Sequence, residues 1–145
     1  MSTPPEDIAL VLRTDPRFLR AVRSLVRCYF SDAGVPEERC QDVVLAIDEA
    51  CTNAMRHSYG GNTACQLRVG LASDPEWITV VLRDEGCPAA PDRIRPRPPE
   101  PVDPEGLTPG GLGVQLIYRV FDEVDYAPGD RVGNRIVMRL RRTAA

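Results

Sequence analysis

The sequence predicts an α+β fold: a two-layer sandwich with helices packed on one face of a mixed, mostly antiparallel sheet. Three observations lead to it. Segments of β-type composition stand side by side along the chain, joined by short turns, which favours antiparallel pairing. Two long stretches with helical spacing lie between residues 14 and 58, and a third follows residue 110. The resulting order, β-α-α-β-β-loop-α-β-β, lacks the strict alternation of a doubly wound fold. At 145 residues the chain reads as one domain, 1–145, long enough to bury a core.

Each element has its own signal. "IALVLRT" (8–14) is rich in β-branched and aliphatic residues and opens the fold as a strand. Thr14 or Asp15 then offers an N-cap, with Pro16 in the first turn of a helix. Phe18, Ala21, Val22, Leu25, Val26 and Tyr29 recur at helical spacing, and Gly34 ends the run. Pro36 begins a second helix, "PEERCQDVVLAIDEACTNAMRHS", with two acids in its first turn. "TACQLRVGLAS" and "EWITVVLRDEG" are strands joined by the turn "SDP". Residues 87–110 hold most of the prolines and almost no periodicity, as expected of a functional lid or a disordered segment; of the two, a Pro-rich lid is expected. "GGLGVQLIYRVFDEV" reads as a glycine turn and then a helix, and "DEVDYAP" and "NRIVMRLRR" as a closing strand pair around "GDRVG".

Composition excludes several function classes. The net charge of -3 and pI near 5.2 give no support to direct nucleic-acid binding. No apolar run reaches the roughly 20 residues of a membrane helix. "MSTPPEDIAL" has neither the basic region nor the apolar core of a signal peptide, so a cytoplasmic location is expected. The five cysteines include no Cys-x-x-Cys and are joined by a single histidine, which disfavours a zinc site. Reduced thiols are expected, with Cys28, Cys40 and Cys51 as small packing residues.

Three short stretches carry chemistry. On a helical wheel, Val43, Val44, Ile47, Ala50, Cys51 and Ala54 share the core side of the second helix. Asp42, Glu49, Asn53 and Arg56 gather opposite. A polar helix face is most often just solvated. Bordering a cleft, however, its carboxylate can serve as a general base and its amide oxygen as a hard ligand for Mg²⁺. "VVLRDEG" ends a strand with Asp84 and Gly86. In a turn this is commonplace, but at a pocket floor the carboxylate can accept from an exocyclic amine, and the glycine admits a base close to the backbone. "TPGGLGVQLI" places glycines before an apolar helix, where free backbone N–H groups favour anions. It is neither a Walker A loop nor a Rossmann fingerprint.

Taken together and in this order, "DEACTNAMRHSY", "RDEG" and "GGLGVQLI" resemble the ATPase superfamily of gyrase, the ninety-kilodalton heat-shock chaperone and the histidine kinases. The nearest likeness is to its small single-domain branch, the bacterial anti-sigma-factor serine kinases, and it covers nearly the whole chain. The resemblance implies a histidine-kinase-like ATPase fold, ATP and Mg²⁺ as cofactors, and serine/threonine-protein kinase activity. It makes Glu49 the base, Asn53 the Mg²⁺ ligand, Asp84 the adenine contact, and Gly86 part of the purine floor. Gly111, Leu112 and Gly113 become the phosphate-binding backbone, and the Pro-rich lid an ATP lid. It also implies an anti-sigma-factor antagonist as phosphate acceptor, a sigma factor as binding partner, and a homodimer, with no membrane partner. His57 matches a recurrent motif position to which no catalytic role is assigned.

Three positions depart from the family pattern, and each can weaken nucleotide affinity. Pro88 stands where a second glycine is frequent, Thr108-Pro109 where a basic residue is common, and Asn134 where a Gly-Thr pair usually supplies a hydroxyl. A nucleotide-sensing binding module with little or no kinase activity is therefore the alternative. An ATPase fragment of a larger sensor kinase is disfavoured, because no histidine-bearing dimerisation helix precedes the domain.

Overall fold

The structure, a computed structural model, describes residues 3–58, 62–86, 111–127 and 135–142. The expected lid at 87–110, with Pro88 and Thr108-Pro109, lies outside them, as do the "GDRVG" turn and Asn134. Five strands form one sheet in the order β1-β2-β3-β5-β4: β1 (Ile8–Arg13), β2 (Gln66–Ser73), β3 (Trp77–Gly86), β4 (Glu123–Ala127) and β5 (Arg135–Arg141). Every described pairing is antiparallel, so the parallel component of a mixed sheet is not found among these strands.

Three helices cover one face: α1 (Leu19–Asp32), α2 (Glu37–Asn53) and α3 (Gly111–Val120). In α1 the buried residues are Leu19, Val22, Val26 and Phe30, at steps of three and four. Phe18, expected in this stripe, is 40% exposed, and Ala21 is exposed as well. Pro16–Phe18 form a 3-10 turn, capped by the Asp15 carboxylate accepting from the Arg17 N–H, so the α-helical register begins one residue later. In α2, Cys40, Val43, Ala46, Ile47, Ala50 and Cys51 are buried. They meet Leu67, Val69 and Leu71 of β2, Ile78, Val80 and Leu82 of β3, and Met138 and Leu140 of β5 in one core. Alternation along each strand selects this set, and each such fully buried side chain contributes about 1.5–3 kcal/mol. On the opposite face Thr79, Val81 and Val137 are also buried.

The strand directions give the molecule two poles. Arg13 pairs with Gln66, which also pairs with Gly86, so the end of β1, the start of β2 and the end of β3 share one pole. The C-terminus of α2 lies there too, because Asn62, shortly after it, accepts a 2.6 Å hydrogen bond from the buried Thr14 hydroxyl. The α3 C-terminus is at the other pole: Asp122 donates its N–H to the Arg139 carbonyl, and Arg141 pairs with Trp77 at the start of β3. The α3 N-terminus therefore returns to the first pole.

Candidate active site

The first pole brings together the ends of the elements that carry the three sequence motifs. Glu49 and Asn53 lie one turn apart on α2, about 6 Å along the axis at 1.5 Å per residue. Both are partly buried, whereas Asp42 and Arg56, expected on the same face, are exposed. The polar side of α2 is thus graded, and the two positions singled out lie on its covered flank rather than its crest.

Adjacent acids on α2 have different surroundings. Asp48 is paired with Arg23 of α1 at 2.8 Å. Glu49, turned about 100° away, has no hydrogen bond or ion pair among the described residues. An unencumbered, half-buried carboxylate is suited to accept a proton. One turn on, the Asn53 side-chain oxygen Oδ1 is buried with no hydrogen-bond partner among the described residues. Leaving a buried carbonyl unsatisfied costs about 1–3 kcal/mol, so such atoms in folded proteins call for a ligand. A neutral amide oxygen is the donor a hard divalent cation takes, and Asn53 fits Mg²⁺ in this respect. Among the described residues no cluster of three or more His, Cys, Asp or Glu could hold a metal.

Asn53 is the last residue of α2 proper. Ala54–Ser58 continue as a π-helical turn, where the sequence predicted unbroken helix. Such turns widen the helix by a residue and concentrate at functional sites. His57 sits in this turn; its side chain lies outside the described residues.

Asp84 is buried near the end of β3, and Gly86 is the last residue of that strand. Leu67 pairs with Asp84 and Gln66 with Gly86, which leaves Glu85 as an extra residue in a β-bulge. A bulge bends the strand and re-aims its neighbours, a device frequent beside active sites. It lies in the "RDEG" segment, between the two residues expected at the nucleobase.

Gly111, Leu112 and Gly113 belong to the first turn of α3, not to a turn preceding it. The expected anion-binding role is compatible with this, because the first four N–H groups of a helix have no intrahelical acceptors. The Leu112 side chain lies outside the described residues.

One residue at this pole was missed in the sequence. Tyr126 of β4 is partly buried and pairs with Ile136, which pairs in turn with Leu82, so Tyr126 faces the helix layer beside Asp84. Burial raises its hydroxyl pKa, and the Asp84 charge raises it further. Alternation within β4 could have assigned its face. Its proximity to Asp84 required the strand order.

Cys65, buried just before β2 at the same pole, is disulfide-bonded. This corrects the expectation of uniformly reduced thiols. Cys28, Cys40 and Cys51 are free, and burial pushes the Cys51 thiol up to about 12, so it serves as packing. No helix among the described residues is long and apolar enough to cross a membrane.

Comparison with known proteins bears on this arrangement. Residues 12–140 match the histidine kinase-like ATPase domain family. A serine-protein kinase RsbW of Bacillus velezensis is 28% identical over 129 residues, covering 86% of this chain and 79% of the relative. The RsbW of Bacillus subtilis is 29% identical, covering 81% and 75% respectively. Among solved structures, the SiaB–SiaC complex of Pseudomonas aeruginosa superposes with a TM-score of 0.59 at 15% identity, covering 94% of this chain and 89% of that one. The RsbU and RsbW domains of a Mycobacterium tuberculosis protein give 0.60 at 20% identity, covering 98% of this chain and 34% of that longer one. At such identities the structural likeness concerns the fold alone.

Proposed function

The chain belongs to the histidine kinase-like ATPase family, and from that premise we propose that it is a cytoplasmic, ATP- and Mg²⁺-dependent protein serine/threonine kinase. Its substrate in this reading is an anti-sigma-factor antagonist protein, and it also binds a sigma factor, as a homodimer. The observation that carries the reading is the buried Asn53 Oδ1 one helical turn from the Glu49 carboxylate, both without a hydrogen-bond partner among the described residues. The serine-protein kinase names of its relatives point the same way.

Phosphoryl transfer depends more on positioning and charge neutralisation than on covalent chemistry from the protein. Asn53 would hold Mg²⁺, which when bound supplies the positive charge that neutralises the phosphates. The free N–H groups of Gly111, Leu112 and Gly113 hold phosphate oxygens at the positive end of α3. Asp84 accepts a hydrogen bond from the adenine amine, and Gly86 lets the purine lie close to the backbone. Glu49 takes the proton from the attacking hydroxyl. The phosphate gives the antagonist about two negative charges, which breaks its docking by repulsion and desolvation.

Glu49→Gln tests this. The change keeps shape and removes the proton acceptor, so phosphate incorporation into the antagonist should fall about 10²–10⁴-fold while ATP affinity changes little. Undiminished transfer would refute Glu49 as the base. Loss of ATP binding together with transfer would make Glu49 structural. ATP binding by the wild type with no transfer to any antagonist would instead establish the nucleotide-sensing module.

A further inference from the structure

The outer face of the sheet, away from the helices, carries a row of arginines. Leu67, Val69, Leu82 and Ile136 belong to the core or pack against it, so alternation turns Arg68, Arg83 and Arg135 outward. Arg68 of β2 pairs in register with Arg83 of β3, and Arg83 with Arg135 of β5. Three cations thus stand directly opposite one another on adjacent strands, with Cα atoms about 5 Å apart. Like charges so placed are destabilising unless something neutralises them. Arg83 and Asp84 are consecutive in β3, so the row lies behind Asp84 across the sheet and shares no surface with the nucleotide pole.

The three arginines are not equally compensated. The Glu6 carboxylate, from the segment before β1, pairs with the Arg68 guanidinium at 2.7 Å. It lies over Gly70, the next outward residue of β2, where a Cβ would collide with it. The row therefore already holds one carboxylate, laid across bare backbone. Arg83 is partly buried; its Nε is buried without a hydrogen-bond partner, and its guanidinium makes no ion pair among the described residues. Arg135 is partly buried too, with no hydrogen bond or ion pair among the described residues. Further along the face the arginines are engaged: Arg139 with Glu123 at 3.1 Å, and both Arg139 and Arg141 stacked on the Trp77 ring at 4.3 and 4.6 Å. A half-buried guanidinium without a partner loses hydration and gains nothing in exchange. In a chain of net charge -3 this excess of cations is local, not a reflection of composition.

We propose that this row is a docking surface for an acidic segment of a partner protein, whose carboxylates pair with Arg83 and Arg135 as Glu6 pairs with Arg68. Guanidinium forks take carboxylates in two-point geometry, and one acid per arginine removes the cross-strand repulsion. A second copy of this chain is the poorer match, because its own outer face brings the same arginines. The surface does not rest on the kinase reading.

The probe is a fluorescein-labelled hexaglutamate peptide, titrated with the full chain at about 0.1 M chloride and followed by anisotropy. Saturable binding that weakens as salt rises is expected. Arg83→Gln and Arg135→Gln should each raise the Kd at least about fivefold, as for loss of a charge-assisted hydrogen bond. Arg119→Gln removes the same charge from an exposed position on α3 and should change the Kd less than about twofold. Circular dichroism should show all three variants folded at the assay temperature. No saturable binding up to about 0.5 mM protein would overturn the proposal. Equal weakening by Arg119→Gln would overturn it too, since net charge alone would then suffice. Tighter, Arg83-dependent binding of a labelled oligothymidylate would assign the row to nucleic acid instead. Loss of a self-associated form in the Arg83 and Arg135 variants, seen by sedimentation velocity, would assign it to a second copy, and either result sinks the acidic partner.

Discussion

Replacing Asn53 with leucine should make the empty protein more stable and the nucleotide-bound protein less so. Asn53 Oδ1 is buried without a partner, a condition that costs about 1–3 kcal/mol. Leucine has nearly the same branched shape, carries no polar atom, and is the better helix former by a few tenths of a kcal/mol, so both effects act in one direction. Each kcal/mol moves the melting temperature by about 2–4 °C in a domain of this size, so the shift is readable by calorimetry or circular dichroism. Adding Mg²⁺-ATP at about 100 times the dissociation constant stabilises the wild type by about 2.7 kcal/mol. With Asn53 in its proposed role as cation ligand, the variant should gain far less, and the order of the two melting temperatures should narrow or invert. The reasoning fails if Asn53→Leu is less stable than the wild type without ligand, because Oδ1 would then have a good partner in solution. It fails equally if the variant binds Mg²⁺-ATP as tightly as the wild type.

The remaining predictions concern the nucleobase and the thiols. Asp84→Asn should weaken ATP binding by roughly 1.5–3 kcal/mol, the range for a hydrogen bond to a charged group; unchanged affinity by calorimetry would remove Asp84 from adenine recognition. Iodoacetamide on the native protein at pH 8 should modify exposed Cys28 and spare Cys51, whose thiol is fully buried and pushed up to about 12. Unfolding without reductant should bring the number of labelled cysteines to three of the five, because Cys65 is disulfide-bonded and such a bond takes two thiols; a mass spectrum showing all five labelled would refute that bond.

What was legible in the sequence was local. All five strands and three helices follow from alternation, helical spacing and the punctuation of Pro16, Gly34 and Pro36. The strand and helix ends agree with the expected segments to within a few residues. The candidate site could be read because its motifs mark the ends of elements: a polar flank on α2, an acid at the end of β3, glycines at the start of α3. The features that escaped depend on how elements meet. Phe18 fits the helical stripe, yet the 3-10 turn at Pro16 rotates it outward. Asp48 and Glu49 are equivalent on paper until Arg23 of a neighbouring helix takes one of them. Tyr126 reaches Asp84 only because β5 runs between their strands. The orphan state of Asn53 Oδ1 is a property of its surroundings and leaves no mark on the letter N.

The strand order also has a consequence in time. β5, the last strand made, lies between β3 and β4, and β4 has no other neighbour in the sheet. During synthesis the α1–α2 hairpin can form early, since its contacts are short-range. β1, however, must wait about fifty residues for β2, and β4 emerges with nothing to pair against. The sheet completes only when the final strand, through Arg141, slots into the gap. Until then β3, the strand that carries Asp84 near its end, has one free edge, and the nascent chain is at its most vulnerable to wrong pairing. The pole that gathers Asn53, Asp84 and the start of α3 is thus completed late and all at once.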